Sequence, residues 1–331
     1  MATTPAGLLA MSRKVVPAVL PGDLMARLAG TLRLVRPDPV EDFDDPAVLA
    51  GVEVLVTGWL CPPLTPAVLD AAPRLRAVVH AAGSVKGHVG PEVFARGIAV
   101  SSAADANAAP VVDFTVAVIT LAGKRAFRLA REAADFGGGL PPFGTRPGND
   151  GRVIGVVGAS RIGRGVIARL VAAGHRVLVA DPYLDPPAAA ALGAGLADLD
   201  ELCRRCDVLT LHAPALPETH HLLDERRLAL LPHGAIVVNT ARGTLVDTDA
   251  LACACAAGRI DACLDVTEPE PLPAGHPLLA LPNVWITPHL AGAQGSEVRR
   301  LGEYAVAEVE RFVAGEPLHG AVHAAQLPLL A

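Results

Sequence analysis

At 331 residues the chain is too long for one ordinary core and suits two domains. Hydrophobic residues make up 51% and charged residues 19%, which excludes a disordered chain. A net charge of −6 and 3% aromatic residues argue against a nucleic-acid groove, an anionic membrane surface or a base-stacking platform, so the expected partner is a small molecule.

In chain order, the apolar stretch 7–11 ends before Arg13 and Lys14, which is too short for a signal peptide. No later apolar run reaches membrane-spanning length without a charge, Gly or Pro, so a cytoplasmic protein is expected. Strands are predicted at 52–56, 75–79 and 98–100, with a helix at 65–72. A longer helix, 111–134, is apolar over most of its surface and is expected to be buried on all sides, between domains or subunits. The Gly- and Pro-rich segment 136–150 is read as a linker or extended arm. Six further strands follow at 153–157, 177–180, 208–211, 235–238, 263–266 and 284–287, separated by helical patterns, and a last helix covers 296–314. The alternation predicts an α/β protein built on doubly wound parallel sheets.

Six cysteines include a C-x-x-C at Cys203 and Cys206 and a C-x-C at Cys253 and Cys255. Both pairs fall in helical stretches, where such spacing packs side chains rather than holding an ion on a tight turn. Neither a metal site nor a disulfide is expected from them.

The segment R-V-I-G-V-V-G-A-S-R-I-G-R-G runs from a strand into a helix and has the form of a dinucleotide-binding turn. Gly158 permits the tight turn and Gly163 lets the helix approach the strand, while the helix amides and dipole meet a pyrophosphate. Ser160 stands where a second Gly is usual; its Cβ pushes the phosphates outward unless its hydroxyl donates a hydrogen bond. Asp181 ends the next strand, placed to accept from ribose hydroxyls and to repel a ribose phosphate, which favours NAD over NADP. Gly158, Ser160, Arg161, Ile162, Gly163 and Asp181 are therefore the expected cofactor contacts of this unit.

Three later strand ends carry residues without an obvious packing purpose: Arg242 in N-T-A-R-G, Glu270 in L-D-V-T-E-P-E-P and His289 in T-P-H-L-A-G. Ligands of an open parallel sheet bind at the carboxyl ends of its strands, so all three face one crevice. An Arg fork suits a carboxylate, a His exchanges a hydroxyl proton and a Glu orients the imidazole, which is chemistry fit for a 2-hydroxy acid.

With A-N-A-x-x-V-x-D-F-T (106–115), L-H-A-P (211–214) and P-E-T (217–219) added, the sequence resembles the D-isomer-specific 2-hydroxyacid dehydrogenase family over about residues 52–297. The resemblance implies a substrate domain of flavodoxin-like form, made of residues 1–106 and 294–331, and a Rossmann NAD-binding domain at 107–293. It implies that Arg242 binds the carboxylate of a 2-oxo acid, that His289 is the acid/base and that Glu270 is its partner. It adds His212, Pro214, Thr219, Thr240, Ala241, Asp265 and His289 as cofactor contacts, with Asp265 near the nicotinamide carboxamide; for His212 a structural hydrogen bond is the alternative. A homodimer supported by the helix from residue 111 is implied as well. In the loop after the second predicted strand, Gly83 and Ser84 are candidate substrate contacts, but the family's Asp is missing. Lys86 is a candidate for a second anionic group on the substrate, a solvated surface lysine being the alternative. Thr267 replaces the usual Phe and Gln294 a common Thr, so the substrate is not legible. Two other functions stay open: an NAD-responsive, non-enzymatic corepressor-like protein, and a dehydrogenase of the phosphite or formate type.

Overall fold

A computed structural model describes residues 4–133 and 148–329. The chain divides into two compact units, one formed by residues up to 108 together with those from 293, the other by 109–292. The segment read above as a linker lies, up to residue 147, outside the described residues.

The first unit holds a six-stranded sheet of β1 (Ala6–Ala10), β2 (Arg33–Leu34), β3 (Val54–Thr57), β4 (Ala77–His80), β5 (Ala99–Ser102) and, from the other end of the chain, β13 (Ala321–Val322). Their order is β13-β5-β4-β3-β1-β2, parallel except for β13. Without β13 this is the flavodoxin-like order, which reverses direction between β1 and β3. The apolar stretch at 7–11 overlaps the inner strand β1, whose five residues are all buried. Its sequence, AGLLA, lacks β-branched residues, and burial on both faces removes the alternation that marks a half-exposed strand. A Cβ on Gly7 would come within 2.7 Å of Leu32 Cδ1, so glycine lets the end of helix Gly22–Thr31 close on the sheet. The helix expected at 65–72 is Pro66–Ala71, with the Thr65 hydroxyl accepting from Val68 N at its start.

The second unit contains β6 (Val153–Val157), β7 (Arg176–Ala180), β8 (Gly195–Leu196), β9 (Val208–Leu211), β10 (Ala235–Asn239), β11 (Ile260–Leu264) and β12 (Val284–Ile286). They form one parallel sheet in the order β12-β11-β10-β9-β6-β7-β8, with its direction reversing between β6 and β9. Successive residues face opposite cores. Val208, Ile236 and Val238 pack with Val166, Ile167 and Leu170 of helix Arg161–Ala172, whereas Leu209, Leu211 and Val237 pack with Leu202, Leu228 and Leu251. Helices on both faces explain why these strands read as unbroken apolar runs. Cys203 and Cys206 are fully buried in the second of these cores.

The helix expected at 111–134 begins earlier and ends sooner, at Ala104–Gly123. Arg125, at φ 50, breaks it from the short helix Ala126–Arg131. Nor is it buried all round: Val112, Val118, Ile119 and Ala122 enter the core beside β6, while Ala109, Asp113, Ala117, Thr120 and Leu121 are exposed. Among the described residues it is the one helix long and apolar enough to cross a membrane, and half of it is buried. The last helix is Val298–Ala314, preceded by a 3-10 turn at Gly295–Glu297.

Candidate active site

The turn after β6 is shaped by two glycines. Gly158 has φ 93, and a Cβ there would lie 2.8 Å from Ala213 N and 2.9 Å from the His212 carbonyl. A Cβ on Gly163 would lie 2.0 Å from Gly158 O, so only glycine lets helix Arg161–Ala172 start this close to the strand end. Ser160 is the N-cap of that helix, its Oγ accepting from Gly163 N at 3.3 Å. Its lone pair thus closes the helix end, leaving the hydroxyl hydrogen as the part able to meet a phosphate. Asp181 Oδ2 accepts from Ala159 N at 2.6 Å and Oδ1 from Tyr183 N at 2.8 Å, so this carboxylate also fixes the turn it borders. A cradle that a Cβ would fill, at the N-terminus of a helix and beside a strand-end carboxylate, fits a dinucleotide. Arg161 is exposed and Ile162 half-buried on the first turn of that helix.

The neighbouring strand ends complete the rim. His212 follows β9 and is wholly buried; its Nε2 lies 2.9 Å from Thr210 Oγ1, and its Nδ1 has no hydrogen-bond partner. Burial lowers its pKa to about 3, so the imidazole is neutral. The Thr219 hydroxyl donates to Pro214 O at 2.7 Å and accepts from Leu216 N at 2.8 Å, which folds the loop onto itself. Thr240, after β10, meets Thr115 hydroxyl to hydroxyl at 2.7 Å.

Arg242 sits on extended backbone two residues beyond Thr240. Asn239 clamps this turn from both sides, its Nδ2 donating to Arg242 O at 2.8 Å and its Oδ1 accepting from Ala241 N at 3.1 Å. Burial pushes the Arg242 guanidinium below its ordinary pKa, and the negative charge of Glu270 works against that shift. A desolvated guanidinium at a strand-end rim is suited to an incoming carboxylate. Gly243 has its own constraint: a Cβ would lie 2.0 Å from Thr267 O, so the N-T-A-R-G turn fits against the loop that carries Glu270 only because it ends in glycine.

His289 follows β12 at φ 55, a left-handed backbone uncommon outside glycine. Its Nδ1 lies 2.7 Å from Glu270 Oε1, and both side chains are partly exposed. The second ring nitrogen, Nε2, is left as the one for proton exchange. Asp265 holds this turn. Its Oδ1 accepts from Leu290 N at 2.7 Å and Thr287 Oγ1 at 2.6 Å, its Oδ2 accepts from Ala291 N at 2.9 Å, and its backbone carbonyl accepts from His289 N at 3.0 Å. Asp265, expected near the nicotinamide, thus also braces the histidine loop with its carboxylate.

In the first unit, β4 leads into the loop of Gly83, Ser84 and Lys86. Gly83 and Ser84 are half-buried and Lys86 is exposed, with its amide donating to Ser84 Oγ at 3.4 Å. Asn107 packs behind the loop, since a Cβ on Gly83 would lie 3.1 Å from Asn107 Nδ2, and its Oδ1 accepts from Ala293 N at 3.1 Å. Asn107 was legible only as part of A-N-A and carried no assigned role. Thr57, His80 and His88 form a buried cluster at the same strand ends, with Thr57 Oγ1 2.8 Å from His80 Nδ1 and 3.2 Å from His88 Nε2. Sequence reading missed it, because the three residues are isolated along the chain.

Comparison with known proteins agrees with this construction. Residues 140–291 match the family model of the D-isomer specific 2-hydroxyacid dehydrogenase NAD-binding domain. The D-3-phosphoglycerate dehydrogenase of Methanocaldococcus jannaschii is 32% identical over 296 residues, 88% of this chain and 54% of its own. The glyoxylate reductase of Thermofilum pendens is 35% identical over 256 residues, 75% of each chain. The chain spans about half the length of the phosphoglycerate dehydrogenases it matches. Among solved structures, the D-lactate dehydrogenase of Aquifex aeolicus complexed with NAD and lactic acid is 26% identical, with a TM-score of 0.72 over 94% of this chain and 96% of that one.

Proposed function

The chain belongs to the D-isomer specific 2-hydroxyacid dehydrogenase family, and we propose that it interconverts a 2-oxo acid and a D-2-hydroxy acid with NAD as its redox partner. The observation that carries this reading is the His289–Glu270 pair, 2.7 Å apart on the strand-end rim that also bears Arg242 and the dinucleotide turn.

In the direction of reduction, Arg242 takes the substrate carboxylate in its planar fork, which orients the C2 carbonyl. When bound, the cofactor supplies the hydride that C2 receives. His289 Nε2 gives its proton to the oxygen that becomes the hydroxyl, and Glu270 holds the ring through Nδ1 so that Nε2 stays aimed at that oxygen. Oxidation runs the same path backwards, with neutral Nε2 taking the proton. Gly158, Ser160, Arg161, Ile162 and Gly163 are proposed to hold the pyrophosphate. Asp181 would accept from the ribose and repel a 2′-phosphate, giving a preference for NAD over NADP. His212, Pro214, Thr219, Thr240, Ala241, Asp265 and His289 are proposed to line the same site, and Gly83, Ser84 and Lys86 to contact substrate. A homodimer through the exposed side of helix Ala104–Gly123 belongs to the same proposal.

The test is a panel of glyoxylate, hydroxypyruvate, pyruvate, bulky 2-oxo acids and phosphite, each with NAD(H) and NADP(H). Oxidation of NADH by at least one 2-oxo acid is expected, with slower use of NADPH. Turnover with phosphite alone, or with nothing in the panel, would overturn the reading.

A further inference from the structure

His220 and His221 are absorbed neither by the site above nor by any core. They follow the 3-10 turn Pro217–Thr219, and His221 has φ 47, a strained position for a residue with a side chain. Its amide donates to Thr244 O at 2.8 Å, and two residues on Leu223 N donates to Leu245 O at 2.9 Å. This pairing lays the 217–223 loop along the turn after Arg242, which in turn fits against Thr267 and Glu268 through Gly243. Three segments distant in sequence are thereby stacked, and the side chains at their edge meet.

The meeting point is Glu268 Oε2. His220 Nε2 lies 3.5 Å from it and His221 Nε2 3.4 Å, with the two rings stacked at a centroid distance of 3.9 Å. The oxygen is itself buried, yet it accepts no hydrogen bond. A buried carboxylate oxygen without a donor is costly. The two imidazole nitrogens stand at the outer limit of hydrogen-bond distance without forming the bond, so they do not relieve it. A cation between the three atoms would.

We propose that His220, His221 and Glu268 form a binding site for a divalent transition-metal ion of the zinc type, with the outer position left to water. The distances support this. Ligand atoms about 2.0–2.2 Å from a tetrahedral zinc ion stand about 3.4 Å from one another. The two His–Glu separations already have that length, and all three ligand atoms lie within 4.8 Å of one another; to close the third side the half-exposed His220 ring turns out of its stack on His221 so that both ring planes meet at the ion. Two imidazoles and a carboxylate are a ligand set that suits zinc, whereas calcium and magnesium favour oxygen donors throughout. Behind His221, on its Nδ1 side, stands Asp247 with Oδ2 at 3.8 Å, where metal-bound histidines keep an orienting carboxylate. Asp247 is anchored as the N-cap of helix Thr248–Ala256.

The site does not depend on the proposed dehydrogenase reaction, but it has a bearing on it. Glu268 is two residues from Glu270, so an ion bound here ties the 217–223 loop to the segment that aims His289. Its role is structural restraint at the rim, with no part in proton or hydride transfer.

The test is Zn²⁺ binding to the full, metal-stripped chain, read by competition with a chromophoric chelator and by thermal melting. One site per chain is expected, together with a melting temperature raised by Zn²⁺. His220→Ala, Glu268→Gln and His221→Gln should each weaken that site by at least about tenfold and abolish the thermal shift. Cys253→Ser, at an exposed cysteine elsewhere, should change neither. His220 is exposed, so His220→Ala keeps the fold and remains informative if a second variant does not. Zn²⁺ affinity and thermal shift that survive in His220→Ala and Glu268→Gln, or an absence of binding at concentrations well above micromolar, would sink the proposal. Because neither readout uses turnover, its failure is separable from failure of the dehydrogenase reading.

Discussion

The carboxyl edges of the two sheets both carry buried histidines, His80 and His88 at the first and His212 at the second, and the second edge adds one, His289, that is treated in the opposite way. At the first edge His80 and His88 are buried, 4.5 Å apart between ring centres, and share the Thr57 hydroxyl; no carboxylate faces them through a hydrogen bond or ion pair among the described residues. Burial lowers their pKa values to about 3 and about 4, with the neighbouring His88 adding to the shift at His80. At the second edge His289 is half-exposed and bonded to Glu270. The same side chain is thus a neutral packing element where it is dry, and an acid/base candidate where a carboxylate and an open face accompany it. Residue type does not distinguish the two; the partner does.

The largest test of this contrast is His289→Asn, which should lower turnover on the order of 10²–10⁴-fold while leaving the melting temperature near that of the parent. A variant with near-full activity would erase the distinction. Next comes acid. His80, His88 and His212 have folded pKa values below the unfolded value of about 6.5, so the unfolded chain binds more protons as pH falls. Their contribution is complete above about pH 6.5 and is lost progressively as pH falls from there towards about pH 3–4. Denaturant melts across that range should show stability rising with pH, and a flat profile would mean that these imidazoles are not neutral in the fold. Gly243→Ala drives a Cβ into Thr267 O and should shift the Glu270 loop, lowering turnover by about 10²-fold with cofactor affinity less affected. Thr57→Val strips the shared hydroxyl from the buried pair and should cost about 1–3 kcal/mol of stability; a loss of turnover without loss of stability would move the first edge into the chemistry. The smallest effect is Ser160→Ala, where loss of the cap should cost about 1 kcal/mol and cofactor affinity should fall. Unchanged affinity would rule out a phosphate contact from the hydroxyl.

Legibility followed the same division between residue and partner. β6, β9, β10 and β12 were readable because helices cover both sheet faces and their apolar runs are unbroken. β1 was missed for its Ala and Gly, and β2, β8 and β13 because two residues carry no period. Arg242, Glu270 and His289 stood out since each closes a strand with a side chain that packing does not need. Asn239, Gly243 and Asn107 did not. Their tasks are a bond across a turn, a backbone fit and a brace behind a loop, and each exists only once the opposing segment is in place. The helix Ala104–Gly123 differs in extent from the expected 111–134, since the fold accommodates Pro110 inside it, and composition does not reveal that one side is exposed.

The buried carboxylate of Glu308 accepts from Ser101 Oγ, from Gly320 N at 2.9 Å and from His319 N at 3.1 Å, and so ties β13 to β5. Ser101 and Glu308 are 207 residues apart. The first unit therefore cannot complete its sheet until the segment that carries Glu308 and β13 has been made, whereas the second is continuous and can assemble as soon as its last strand emerges. Synthesis from the amino terminus leaves β1 to β5 waiting for a segment that follows the whole of the second unit. The order of assembly is then the reverse of the order of translation, and a chain truncated before β13 should be most exposed to aggregation through its first hundred residues.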